Sequence, residues 1–338
     1  MTVPRIACLV LLACLLPLHP AAAGGGSEHQ AVIDAAIAIS QQRFQDGSPA
    51  VATSAILSRT GVFADSLSGS SLTFTGPMLF TDPEELDAGT LAEVQRLLGD
   101  GDRVYLLGGE AALSAAVEQA VVDAGFTPFR LAGASRVETS LAIAGHARDI
   151  GGTGRLVLAR ADGPAGNPTA AWADSVTAGA WAANEAVGVV LNPSDQLHPA
   201  VATRLEENKP QVFLMGGEAA LSAAVQAEVA ARVPEVIRVS GANRYATAVA
   251  IADQLWGDAA SGTYLVTSGD ATDGWAYGLA GAGLGAALDA PLLLVETNRL
   301  PAETDARLCA TGTRADVQVL GGPDVVSDEV RAAMATPC

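Results

Sequence analysis

Residues 108–117 read Gly-Gly-Glu-Ala-Ala-Leu-Ser-Ala-Ala-Val, and the same ten residues return unchanged at 216–225. The apolar runs before them match as well, Val104-Tyr-Leu-Leu107 against Val212-Phe-Leu-Met215. A weaker third copy is Val317-Gln-Val-Leu-Gly-Gly-Pro-Asp-Val-Val-Ser327. A period near 105 residues means an array of similar folded units, and a repeat must be recognised before any element is assigned.

Other landmarks keep the phase. Arg130-Leu-Ala-Gly-Ala-Ser-Arg136 recurs as Arg238-Val-Ser-Gly-Ala-Asn-Arg244, and Leu141-Ala-Ile-Ala144 as Val249-Ala-Ile-Ala252, with Ala35-Ala-Ile-Ala38 a fainter first copy. Phe63-Ala-Asp65, Trp172-Ala-Asp174 and Trp275-Ala-Tyr277 form a second series, and the runs beginning at Pro77, Gly188 and Pro291 a third. In the middle copy, helical patterns at 137–148, 171–183, 199–207 and 222–232 alternate with short apolar runs at 155–159, 187–191, 212–215 and 236–239. Alternation of this kind predicts βαβ units on a parallel sheet, hence an α/β chain of three tandem Rossmann-like three-layer repeats. Ser135 with Glu138 fits a capping box, and Ser114 and Ser222 stand where helices begin.

Residues 1–23 combine Arg5, an apolar run from Ile6 to Leu18 and the small residues Ala21-Ala22-Ala23. They read as a secretory signal peptide cleaved after Ala23, with lipidation at Cys14 and an uncleaved anchor as alternatives. Three repeats then fill the remaining 315 residues as 24–133, 134–241 and 242–338, leaving no separate catalytic domain. Only Cys309 and Cys338 stay in the exported chain; in an oxidising compartment they are expected to pair, the alternative being two free thiols. The apolar stretch 275–295 coincides with a helix–strand position of the third repeat and reads as core, so no membrane span is expected.

Net charge is −18, with Lys209 the single lysine, and aromatic residues make up 4%. Such a surface lacks the basic stripe that phosphate backbones need, which sets nucleic acid aside. Metal and cofactor chemistry find no motif. His29, His146 and His198 are scattered, and neither HExxH, GxSxG nor a phosphate-binding glycine pattern occurs. Acidic stretches such as 82–85 and 270–273 do not fit calcium-loop spacing. Three groups remain as binding candidates. Gly108–Gly109, Gly216–Gly217 and Gly321–Gly322 lie between strand and helix, where ligands gather in parallel sheets or where a sharp turn needs glycine. Asp65 and Asp174 occupy equivalent helix positions, and suit a ligand, a helix N-terminus or a contact between repeats. Arg136 and Arg244 begin helices, with Gln30 in the first copy, and suit an anion or a salt bridge. Trp172 and Trp275 share a repeat position and read as core; Trp181 and Trp256 have no counterparts and are expected at the surface.

The segments RLAGASRVETSLAIA and RVSGANRYATAVAIA, the strand–Gly-Gly–Ser motif and the Phe/Trp-Ala-Asp motif together resemble the type 2 cell-wall-binding repeats of Gram-positive bacteria. The resemblance spans about residues 31–338 in three copies. It implies three α/β repeats in a pseudo-threefold arrangement on a secreted, cell-surface protein; members of the family are often fused to an amidase or protease, and because the repeats leave no room for one here the protein is expected not to be an enzyme. It also implies a partner, an anionic secondary wall polymer of teichoic-acid-like or other glycopolymer type. Pro77–Thr81, Gly188–Asn192 and Pro291–Val295 correspond to the family's proline-and-aliphatic strand motif, which adds Pro77 and Pro291 to the ligand-binding candidates. This copy departs from the pattern at Gln30, at Gly188, at Tyr277 and in the longer loop at Asn167–Thr169. Two rival readings are a wall-remodelling hydrolase with its site between repeats and a protein-binding adhesion protein. A shared polymer site predicts that the strand motifs, Arg136 and Arg244 converge on one groove.

Overall fold

Short Val- and Leu-rich runs closed by glycine turns form strands, and the Ala-rich stretches between them form helices, throughout residues 28–45, 47–48, 50–164, 166–256 and 262–338, which the computed structural model describes. The expected signal peptide and Cys14 lie outside the described residues. In the first unit, α1 (Glu28–Arg43) precedes β1 (Ser54–Arg59), β2 (Met78–Thr81), α2 (Ala88–Leu97), β3 (Arg103–Leu107), α3 (Ala115–Asp123) and β4 (Thr127–Leu131). The second repeats the order with α4 (Arg136–Asp149), β5 (Leu156–Arg160), α5 (Ala173–Asn184), β6 (Gly188–Asn192), α6 (Pro199–Asn208), β7 (Gln211–Met215), α7 (Ala223–Ala230) and β8 (Glu235–Val239). The third has α8 (Arg244–Ile251), β9 (Thr263–Ser268), α9 (Gly274–Leu288), β10 (Leu292–Val295), α10 (Ala302–Leu308), β11 (Asp316–Val319) and α11 (Asp328–Ala335).

Every described strand pair is parallel, in the orders β2-β1-β3-β4, β6-β5-β7-β8 and β10-β9-β11. Among the described residues the third sheet has three strands where the others have four. In the first two units the chain leaves the first strand toward one edge and the third toward the other, and in the third unit β10 and β11 lie on opposite sides of β9. A crevice therefore opens beyond the carboxyl ends of β1 and β3, of β5 and β7, and of β9 and β11.

The units close on one another through α5, α9 and their counterpart in the first unit. That counterpart is a tight 3₁₀ segment at Gly69–Leu72 rather than the expected helix. The connection is shorter here: only 12 positions separate Asp65 from Pro77 against 14 for Asp174 to Gly188 and Tyr277 to Pro291. A 3₁₀ turn rises about 2.0 Å per residue against 1.5 Å, so fewer residues span the distance. Ser70, Gly179 and Ala282 each stand five residues beyond the Asp65/Asp174/Tyr277 position, and they meet. A Cβ added at Gly179 falls 3.2 Å from that of Ser70 and 3.6 Å from that of Ala282. Small residues at this point let three backbones approach along the pseudo-threefold axis.

The edge strands are sealed by neighbours. Ser71 of the first unit accepts the Val189 N–H at 2.7 Å and Ser140 of α4 accepts that of Leu191 at 2.9 Å, so the outward amides of β6 are paired. Trp172 and Trp275 are core as expected, with Phe63 and Phe80 edge-on to Trp275. Trp181 and Trp256 are also buried, contrary to expectation. Trp181 packs edge-on against Phe213 at 4.7 Å with the Arg155 guanidinium over its face. Lack of a repeat counterpart does not expose a residue, because the helix that carries Trp181 is covered on all sides. Cys309 and Cys338 form a disulfide. Among the described residues no helix is long and apolar enough to cross a membrane, α9 included.

Candidate functional site

Arg160 ends β5, and Gly216 follows β7 in the neighbouring strand of the sheet. Between them, at the crevice of the second unit, lies a cleft of about 320 Å³ walled by Arg160, Asp174, the turn Gly217–Ala220, and Ala242–Arg244 and Thr247 of the third unit. It is thus built across a junction between units.

Gly216 adopts φ +89°, and a Cβ there would stand 2.3 Å from Asp174 Oδ2. Glycine is required both for the turn and for the approach of the carboxylate. Burial pushes the Asp174 carboxyl up to about 6, and the nearby guanidiniums of Arg160 and Arg244 only partly offset it. Arg160 is buried; one terminal N–H donates to the Ala219 carbonyl, while its Nε has no hydrogen-bond partner. Arg244 donates to the Gly269 carbonyl, to Thr169 Oγ1 at 2.7 Å and to Asn167 Oδ1 at 3.2 Å. The longer loop of the second unit is therefore what tethers this arginine. Asn243 caps α8 by accepting the Ala246 N–H at 2.9 Å and donates to Glu303 at 2.8 Å.

The first unit repeats the arrangement in part. Arg59 donates to the Ala111 carbonyl at 3.2 Å, as Arg160 does to Ala219. Gly108 has φ +93°, and a Cβ there would stand 2.8 Å from Asp65 Oδ2. Asp65 occupies a turn rather than a helix. Arg136 lies with its guanidinium 6.0 Å from the Phe63 ring and donates to Ala161 O at 2.8 Å and Asp162 Oδ1 at 2.9 Å. At the third junction the equivalents are Ser268, which ends β9 as Arg59 ends β1 and Arg160 ends β5, and Tyr277; Tyr277 is buried, which pushes its phenol upward. Gly321 keeps the left-handed turn at φ +105°, and Gly109, Gly217 and Gly322 complete the three turns.

The structure brings Asp174, Gly216, Gly217 and Arg244 together, and sets Asp65 and Gly108 side by side at the preceding junction. Arg136 and Arg244 stand at successive equivalent junctions, not in one groove. Pro77 and Pro291 are buried at the starts of β2 and β10, where their carbonyls accept the N–H of Ile56 at 2.9 Å and Leu265 at 3.0 Å. Arg59 and Arg160 are cleft residues that the repeat phase conceals. They are 101 positions apart rather than 108, because 13 residues separate Arg160 from Asp174 and only 5 separate Arg59 from Asp65. Aligning strand ends instead of motifs finds them. Among the described residues no group of three or more His, Cys, Asp or Glu is placed to hold a metal ion.

The family described as cell wall binding domain 2 (CWB2) matches residues 32–118, 130–226 and 238–331. The chain is 23% identical over 310 residues to the N-acetylmuramoyl-L-alanine amidase LytC of Bacillus subtilis, covering 89% of this chain and 56% of that protein. An uncharacterized protein of Pyrococcus abyssi is 27% identical over 144 residues, 42% of this chain and 40% of its own. The fold is shared with Cwp8 of Clostridium difficile (TM-score 0.76, 23% identity, 92% of this chain and 50% of that one) and Cwp6 of the same organism (TM-score 0.77, 19% identity, 93% and 47%). The chain thus spans about half the length of the proteins it matches. Three matched segments, one on each α/β unit, make this chain a member of the CWB2 family.

Proposed function

We propose that this is an exported, non-catalytic protein of the cell surface that attaches non-covalently to an anionic secondary wall polymer. The observation that carries the reading is the cleft between the second and third units, where Arg160 and Arg244 flank one carboxylate. A chain of net charge −18 binds a polyanion only where basic groups are locally concentrated. Two guanidiniums lining one cleft supply that, since they match phosphate or carboxylate geometry. The Gly217 turn forms one side of the wall. Asp65, Gly108, Gly109 and Arg136 make the corresponding set at the first junction, and Gly321 and Gly322 the remnant at the third. Pro77 and Pro291 contribute by shaping the edge strands that seal the junctions. The unit limits 24–133, 134–241 and 242–338 belong to the same reading.

Co-sedimentation with purified walls, before and after chemical stripping of secondary polymers, tests it. Retention that falls on stripping, and falls roughly tenfold in an Arg160→Gln/Arg244→Gln variant, is expected. Retention indifferent to stripping overturns polymer recognition. Release of murein fragments by the purified protein would instead support the hydrolase reading.

A further inference from the structure

In the first two units the third strand is covered on its outer edge by a fourth, β4 on β3 and β8 on β7. The third strands are accordingly buried except at their first residue. In the third unit β11 has β9 on one side and no described strand on the other, and its residues are exposed or half-buried throughout. The Asp316 N–H donates to Gly262 O and the Leu320 N–H to Val266 O, which turns alternate residues toward β9. Val317 and Val319 therefore present their N–H and C=O groups outward.

The internal copies define what fits there. Each fourth strand carries an arginine, Arg130 or Arg238, that donates to the turn carbonyl of Gly108 at 3.0 Å or Gly216 at 2.7 Å. Each also donates to the residue ten positions beyond that glycine, Glu118 at 2.9 Å or Gln226 at 2.8 Å. In the third unit the tenth residue is Arg331. It reaches the Gly321 carbonyl itself, at 2.5 Å, and takes the place of the strand arginine. The charge at this point of the slot is thus reversed. Asp324 and Asp328 flank Arg331 and Asp316 opens the strand, so a carboxylate is accommodated at this one position and disfavoured on either side.

We propose that the outer edge of β11 is a docking slot for an extended segment of a partner protein, added as a parallel fourth strand, apolar where β4 and β8 are apolar and acidic where they carry arginine. Main-chain pairing to Val317 and Val319 supplies affinity and Arg331 supplies selectivity.

The test uses the full exported chain and two synthetic peptides: residues 233–241 of this sequence, and the same peptide with Arg238→Glu. Fluorescence anisotropy is expected to show saturable binding, roughly fivefold tighter for the acidic peptide. Amide exchange at Val317 and Val319 slows on saturation. Arg331→Glu reverses the preference. Arg331→Gln, which restores the residue type of the second unit, abolishes it and guards against a variant that fails to fold. Unchanged exchange at those two amides with saturating peptide, or a preference indifferent to both variants, overturns the proposal. So does protection of the same amides in the free protein that grows with its concentration, because a second copy then fills the slot.

Discussion

Asp174 is a carboxylate held where burial disfavours its charge, and two predictions follow from that placement. Its folded-state value of about 6 lies above the ordinary 3.8, so the folded chain holds the proton more tightly than the unfolded one. Stability from this group is full below about pH 4 and is lost as pH rises through 6, a change of at most about 3 kcal/mol. Asp174→Asn should raise the denaturation midpoint at pH 7 and flatten its pH dependence between 4 and 6, read by urea titration across that range. Protonation also removes one negative charge from between Arg160 and Arg244, leaving Glu218 as the acidic residue on the cleft wall. Wall retention of the native protein should therefore strengthen below pH 6, and that trend should vanish in Asp174→Asn. Gly216 sets the geometry. Gly216→Ala forces a side chain into a left-handed turn and against the carboxylate, and should cost roughly 1–3 kcal/mol.

Hydroxyls supplement apolar contact where elements of different units meet. Ser71 is buried and accepts the Val189 amide of a neighbouring unit's edge strand. Ser71→Ala leaves that buried N–H unpaired and should cost about 1–3 kcal/mol, checked by denaturant unfolding, whereas Ser71→Thr retains the acceptor. The sequence made the alternation of strands and helices legible, and placed most second-unit boundaries within one residue, because glycine turns and apolar runs are local signals. It hid the 3₁₀ segment at Gly69–Leu72. The Phe-Ala-Asp motif promised a helix, but the shortened connection settles into a tighter turn, and Ser71 finds its partner only once the strand of the neighbouring unit is in place. Arg160 stayed hidden for a related reason: a loop that tethers Arg244 from another unit shifts it out of phase.

For the whole molecule, each unit buries its edge strand and central segment against the other two, so a chain of small sheets gains one continuous core. The third unit has no fourth strand among the described residues and is fastened by Arg331 on the Gly321 carbonyl and by the Cys309–Cys338 bond. That bond closes 29 positions, and chain entropy values it at roughly 3–4 kcal/mol. Cys338→Ser should lower the unfolding midpoint accordingly, and faster amide exchange should appear first in α10, β11 and α11. The amino-acid sequence by itself determined the threefold duplication, the α/β alternation and the cysteine pair, since repetition, periodicity and composition are properties of the chain read in order. Only the tertiary structure decided which candidate residues meet. Asp174 meets Arg160 of its own unit and Arg244 across a junction, Arg136 stands at another, and the prolines go inside, because contacts between units depend on how three twisted sheets close around small residues at Ser70, Gly179 and Ala282.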